Sequence, residues 1–279
     1  MTHTLEGKNM IGINGLGRIG KLLLWNQLAS RRFDGAVINL GRQAGRGLDD
    51  IIHFMETDST YGSLQRFLYG TTGQKRQFSI LDQESALMEY DGFLIRLLLN
   101  ERNPSRIPWR ENHVKIVVDC TGVFNDPTDA SDQAKGSLRG HLESGARKVI
   151  LSAPFKIRDK AKKMPDDSYM MVYGINHLEY DAHRHHVLSA ASCTTTGLSH
   201  MIFPLLQTAE TARMLTASMS TVHAATNSQS VLDAVPSSGA ADLRKNRSVL
   251  NNIILSSTGA ARALEKILPE ISEIGFMAD

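Results

Sequence analysis

Met10-Ile11-Gly12-Ile13-Asn14-Gly15-Leu16-Gly17-Arg18-Ile19-Gly20 decides how the first half of this chain folds. Met10 to Asn14 is a short apolar run of strand type, and it enters a glycine turn directly. Ile19, Leu22 and Leu23 then begin an apolar stripe at helical spacing that continues through Leu28. Each glycine has a mechanical task in a strand–turn–helix of this kind. Gly15 allows the tight turn, Gly17 lets backbone approach a pyrophosphate, and Gly20 lets the helix pack close to the strand. The helix N-terminus then faces the phosphates with unpaired N–H groups. A glycine triplet alone is weak evidence, but its place between strand and helix makes it a dinucleotide-binding expectation.

The next strand, Ala36-Val37-Ile38-Asn39-Leu40, lies where an acidic residue would hold the adenosine ribose hydroxyls. There is none, and Arg42 follows. With no carboxylate to reject a 2′-phosphate, the cofactor expectation is NAD or NADP, with Arg42 either at that phosphate or a plain surface charge. Ser63–Phe67, Gln77–Ile80 and Gly92–Arg96 read as short strands forming an antiparallel annex. Buried parallel-type strands are expected at Val114–Val118, Lys148–Leu151, Met170–Tyr173 and His186–Ser189, with a helical segment over Asp129–Gly145. The alternation predicts an α/β fold with a doubly wound sheet. Cys120, at the end of one strand, reads as core.

A second stretch, Ala190-Ala191-Ser192-Cys193-Thr194-Thr195-Thr196-Gly197, precedes Leu198, Met201, Ile202, Leu205 and Leu206 at helical spacing. Ser192 is a good N-cap, which places Cys193 where the first helical N–H groups point outward. Negative charge is favoured there, so the thiol ionises more readily than one in an apolar core. Leu215 to His223 is a β-prone run that delivers a histidine near its end. Together they suggest a nucleophile and base, against the plainer reading of a buried free cysteine and an unrelated histidine.

Composition narrows the class. The chain has 279 residues, a net charge of +2 and 22% charged residues, which points to neither a nucleic-acid partner nor a membrane surface. The basic residues are scattered, the tightest run being Lys160-Ala161-Lys162-Lys163. Two cysteines without repeated spacing offer no disulfide framework and no metal pattern, and suit a reducing, cytoplasmic setting. No apolar signal core and no run of membrane-spanning length is seen.

Taken with Ala190–Thr195, the first glycine stretch strongly resembles the phosphorylating glyceraldehyde-3-phosphate dehydrogenases. Further matches follow in the family's order. They are Asp58–Gly62, Ile107-Pro108-Trp109, Thr121–Phe124, Leu151–Pro154, Gly174–His177, Thr221–Thr226 and Asn252–Ala261. The resemblance covers residues 10–279. It implies a Rossmann-type NAD(P)-binding domain over residues 1–190 and an α+β catalytic domain over 191–279. It implies that Cys193 attacks an aldehyde, that His223 is the general base, and that phosphate discharges the thioester. Cofactor contacts carry over to Gly15, Gly17, Arg18, Ile19, Thr121 and Ser152. Anion sites carry over to Ser192, Thr194, Thr226, Arg247, Thr258 and Gly259. The substrates implied are glyceraldehyde 3-phosphate and inorganic phosphate. The stretch Asn227–Asp242 corresponds to a loop that in relatives lies against a neighbouring subunit's cofactor, implying a homotetramer.

Three departures accompany the resemblance. Thr196 stands where an asparagine is usual, and Leu40 where an aspartate is usual. In relatives, the strand ending here at Asp279 is followed by an arginine that holds both phosphates. An asparagine that orients the nicotinamide and a C-terminal helix come further on. The catalytic domain is therefore expected to be incomplete, with a sheet of two strands and an exposed apolar patch. The alternative expectation is a truncated, catalytically impaired nucleotide-binding or interaction protein.

Overall fold

A computed structural model describes residues 5–214, 216–226, 229–236, 238, 242–256 and 258–278. The chain divides into two compact units: residues 1–171 with 177–191, and residues 172–176 with 192–279.

The first unit opens with β1 (Met10–Asn14), α1 (Arg18–Ser30), β2 (Gly35–Asn39), α2 (Leu48–Glu56), β3 (Thr57–Asp58), β4 (Gly62–Ser63) and α3 (Leu64–Tyr69). It continues with β5 (Phe78–Asp82), β6 (Leu87–Tyr90), β7 (Phe93–Leu98), β8 (Val114–Asp119), α4 (Gly140–Glu143), β9 (Lys148–Leu151), β10 (Ser168–Met170) and β11 (Val187–Ser189). Nine strands form one sheet in the order β10-β11-β9-β8-β1-β2-β7-β6-β5. Pairing is parallel from β10 through β7, and β6 and β5 add an antiparallel edge. This is the expected α/β sheet with its annex. Every residue of β1 and β2 is buried, as a parallel sheet covered on both faces requires. The core on the α1 side includes the fully buried Trp25, Leu24, Ile38 and Met55. Trp25 also donates its indole N–H to the Met55 carbonyl at 2.6 Å. Burying such side chains contributes about 1.5–3 kcal/mol each.

Four local expectations are corrected. Leu64–Tyr69 is a helix, although Ser63–Phe67 reads as a strand. Ser63 caps it by accepting the Arg66 N–H at 3.2 Å, and Phe67 meets the Trp25 ring at 5.5 Å. An effective N-cap and the burial of Leu64 outweigh the strand propensity. Of Asp129–Gly145, only Gly140–Glu143 is helical, because Gly136 turns the chain at φ +83°. The strand expected over Met170–Tyr173 ends at Met170; the Asn176 side chain takes the Val172 N–H at 2.8 Å. Of the stripe expected on α1, Leu22 and Leu23 are half-buried against the core and Leu28 is buried, but Ile19 is 54% exposed, and the buried positions also include Gly20, Lys21, Leu24, Trp25 and Gln27.

The second unit contains α5 (Cys193–Leu206), β12 (Thr216–Met219), α6 (Ala260–Glu265) and β13 (Gly275–Ala278). β12 and β13 pair in parallel as a two-stranded sheet. Helix α5 buries Leu198 and Ile202, and α6, which buries Ala260 and Leu264, packs against it. Met201 is 71% exposed and Met277 69%. The strand expected over Leu215–His223 is shorter: Leu215 lies outside the described residues, and pairing ends at Met219.

Candidate active site

In the first unit, the chain leaves β1 through Gly15 at φ +93° and enters α1 at Gly17. A Cβ on Gly15 would lie 3.0 Å from the Thr121 side chain, so the turn and the β8 end are in direct contact. A Cβ on Gly17 would meet nothing within 4 Å, and no side chain caps α1. Open space beside uncapped helical N–H groups fits the pyrophosphate of a dinucleotide. Arg18 lies 3.9 Å from the Asp58 carboxylate and over the Tyr61 ring. Asp58 also pairs with the buried Lys21 ammonium at 2.9 Å, which holds its carboxyl well below the usual range. Ser152 donates its backbone N–H to the Asp119 carbonyl at 3.0 Å, which sets it beside Thr121. Leu40 is half-buried against the core. Arg42 is exposed, and no hydrogen bond or ion pair holds its side chain among the described residues.

Beneath this turn lies a buried polar network that the sequence does not announce. Asp119 accepts from the Asn14 side chain at 2.8 Å, and from the Thr121 hydroxyl at 2.6 Å and backbone N–H at 3.0 Å. His141 stands 3.1 Å from the same carboxylate, and its Nδ1 accepts the Trp109 indole N–H at 2.9 Å. Indole can only donate, so the proton of the imidazole is on Nε2, directed at Asp119. Burial pushes the Asp119 carboxyl up; hydrogen bonds from His141, Thr121 and Asn14 offset this and hold it below its ordinary value. The network fixes the backbone at Thr121 from below.

In the second unit, Ser192 caps α5 as expected, accepting the Thr195 N–H at 3.0 Å. Cys193 is the first helical residue and is exposed. Its Sγ lies 3.9 Å from Thr194 Oγ1, which in turn lies 3.5 Å from His223 Nε2. Cys193, Thr194 and His223 line one groove of about 640 Å³ with Met201, Leu205, Met219 and Phe276. The apolar side of that groove was not evident in the sequence. Its signal was the α5 stripe, which reads equally well as core.

The anion-site residues are only partly brought together. Ser192 and Thr194 sit at the cysteine, while Thr226, Arg247, Thr258 and Gly259 are not among the groove's walls. Thr226 donates its backbone N–H to the Gln229 side chain at 3.0 Å. Arg247 pairs with Asp233 at 2.9 Å, both side chains being exposed. Thr258 accepts the Ala260 N–H at 3.1 Å, and Gly259 opens α6 with open space around its Cα. Of the loop Asn227–Asp242, residues 227, 228, 237 and 239–241 lie outside the described residues. Among the described residues, no three His, Cys, Asp or Glu side chains gather as a metal site, and no helix is long and apolar enough to cross a membrane.

The two thiols differ in kind. Burial pushes the Cys120 thiol up to about 12, leaving about 10⁻⁴ of it ionised at pH 8. A thiol-exchange reagent at pH 8 is expected to titrate one cysteine rapidly and to lose that phase in Cys193→Ala. Rapid labelling of Cys120 would contradict its burial.

Comparison with known proteins is consistent with this geometry. Residues 9–127 match the family model described as glyceraldehyde 3-phosphate dehydrogenase, NAD binding domain, and residues 192–278 match the C-terminal domain of the same family. Glyceraldehyde-3-phosphate dehydrogenase 2 of Bacillus subtilis is 33% identical over 264 residues, which is 95% of this chain and 65% of the relative. The Streptomyces coelicolor enzyme is 34% identical over 261 residues, 94% of this chain and 66% of the relative. That of Heyndrickxia coagulans is 34% identical over 267 residues, with 94% and 66% covered. The chain thus spans just under two thirds of the length of these curated relatives.

Proposed function

The chain belongs to the glyceraldehyde-3-phosphate dehydrogenase family, and from that premise we propose that it oxidises glyceraldehyde 3-phosphate through a thioester on Cys193. The observation that carries this reading is the exposed Cys193 at the α5 N-terminus, sharing a groove with His223 across Thr194. The Cys193 thiolate, at the first helical position of α5, attacks the aldehyde carbon to give a hemithioacetal. His223 accepts the hydroxyl proton of that adduct as its carbon is oxidised, leaving an acyl group on Sγ. Nicotinamide, when bound, supplies the hydride acceptor. Inorganic phosphate then attacks the thioester carbonyl, releasing an acyl phosphate and returning the Cys193 thiolate. Ser192, Thr194, Thr226, Thr258 and Gly259 supply hydroxyls and N–H groups for the phosphates, and Arg247 exchanges its exposed Asp233 partner for one of them.

Gly15, Gly17, Arg18, Ile19, Thr121 and Ser152 hold the nucleotide in this reading. The missing carboxylate at Leu40 and the unpaired Arg42 support use of NADP as well as NAD. Arg42→Ala is expected to weaken NADP about tenfold, the worth of one charge-assisted bond, and NAD less than about twofold. Equal effects in calorimetric titrations would remove Arg42 from the cofactor site. A homotetramer in the cytoplasm completes the proposal, by analogy with the family. Mass spectrometry tests it directly. In phosphate-free buffer, glyceraldehyde 3-phosphate with the dinucleotide should leave an acyl adduct on the Cys193 peptide, and an unmodified Cys193 would overturn the reading.

A further inference from the structure

The parallel sheet of the first unit has a second end, remote along its strands from the Gly15 turn. There, before β1, β8 and β9 begin, a pocket of about 410 Å³ is lined by Gly7, Lys8, Asn9, Arg110, His113, Val114, Lys115, Gly145 and Arg147. Four of these residues carry fixed positive charge, a histidine adds a fifth donor, and no carboxylate lines the pocket. The residues come from three distant segments, so the sequence shows them only as scattered charges. All five side chains are exposed and lack hydrogen-bond or ion-pair partners among the described residues. Two other arginines of this unit are paired with carboxylates, Arg139 with Asp167 and Arg31 with Asp91.

The backbone that presents these charges is held. Arg147 donates its N–H to the Lys115 carbonyl at 2.8 Å, Arg110 to Ser144 at 3.2 Å, and Val114 to Trp109 at 3.0 Å. Gly145, at φ +115°, approaches so closely that a Cβ there would stand 2.6 Å from the Arg110 Cβ. His113, a non-glycine residue, is kept at φ +57°. Like charges gathered around one concavity repel one another, and an anion carrying several charges relieves that repulsion while accepting charge-assisted hydrogen bonds. The volume suits a small molecule.

We propose that this pocket is a second anion site, binding a small molecule with two or more linked phosphate groups. The test is calorimetric titration of the full chain, saturated with NAD to occupy the Gly15 turn, using inorganic tripolyphosphate as probe. Saturable binding at one site is expected, weakened at least about tenfold in an Arg110→Ala/Arg147→Ala variant and kept within about threefold in Arg147→Lys. NAD affinity should not change, which shows that the variants are folded. Lys160→Ala/Lys162→Ala, on the short basic run outside the pocket, should bind as the parent does. ATP in place of tripolyphosphate separates the sources: tighter binding identifies a nucleotide, and equal binding identifies the phosphate chain alone. Absence of saturable binding, unchanged affinity in the double alanine variant, or equal displacement by sulfate at matched ionic strength would overturn the proposal.

Discussion

Cys193→Ala is expected to abolish aldehyde oxidation, lowering turnover by roughly 10⁴-fold or more, as removal of a covalent nucleophile does elsewhere. The same variant should keep its melting temperature and its nucleotide affinity. The cysteine is exposed, and among the described residues its polar contact is the 3.9 Å approach to Thr194 Oγ1, so little packing is lost. The glycine turn and Thr121 belong to the first unit, and Cys193 to the second. His223→Ala should be less severe, about 10²–10⁴-fold, the usual worth of a general base, because the Cys193 nucleophile itself remains. Steady-state rates beside a thermal melt check both variants. Undiminished turnover in Cys193→Ala would remove the nucleophile assignment.

The second large effect is on stability. A Cβ on Gly20 would fall 2.0 Å from the Gly15 carbonyl oxygen and 3.4 Å from Ile13 Cγ2. The obstacle is backbone and cannot rotate away, so Gly20→Ala must displace either the turn or α1. A loss of roughly 3–5 kcal/mol is expected, equivalent to roughly 10 °C in melting temperature for a unit of this size. Nucleotide binding should fall with it. Gly17→Ala is the informative contrast, because nothing lies within 4 Å of its added Cβ. It should melt within about 2 °C of the parent yet bind dinucleotide at least about tenfold more weakly, since the methyl occupies space reserved for phosphate. An unchanged melting temperature in Gly20→Ala would contradict the close packing of the turn.

Local signals were the legible ones. The strand, turn and helix at Met10–Ser30 and the Ser192 cap of α5 depend on residues within a few positions of one another. Their sequence therefore carries most of the physics. The role of Gly20 is sharper in the structure: it faces the turn's own carbonyl rather than only the strand. The Leu64–Tyr69 helix was hidden because the core that buries Leu64, and the Trp25 ring that Phe67 meets, come from distant segments. The Asp119–His141–Trp109 network joins residues from separate segments, so no short motif could reveal it. His141 lies in the Asp129–Gly145 stretch, whose composition suggested only a helix, and it falls in the short helix Gly140–Glu143. The basic pocket escaped for the same reason, its charges being dispersed along the chain and gathered by the sheet.

In the proposed mechanism, phosphate discharges a Cys193 thioester. Its most direct measurement is stopped-flow formation of reduced nucleotide from glyceraldehyde 3-phosphate, with phosphate varied from zero. A burst of about one reduced nucleotide per chain is expected without phosphate, then a steady rate that rises with phosphate concentration. The burst should be absent from Cys193→Ala. A steady rate indifferent to phosphate, or a folded, nucleotide-binding sample with neither burst nor turnover, would contradict it.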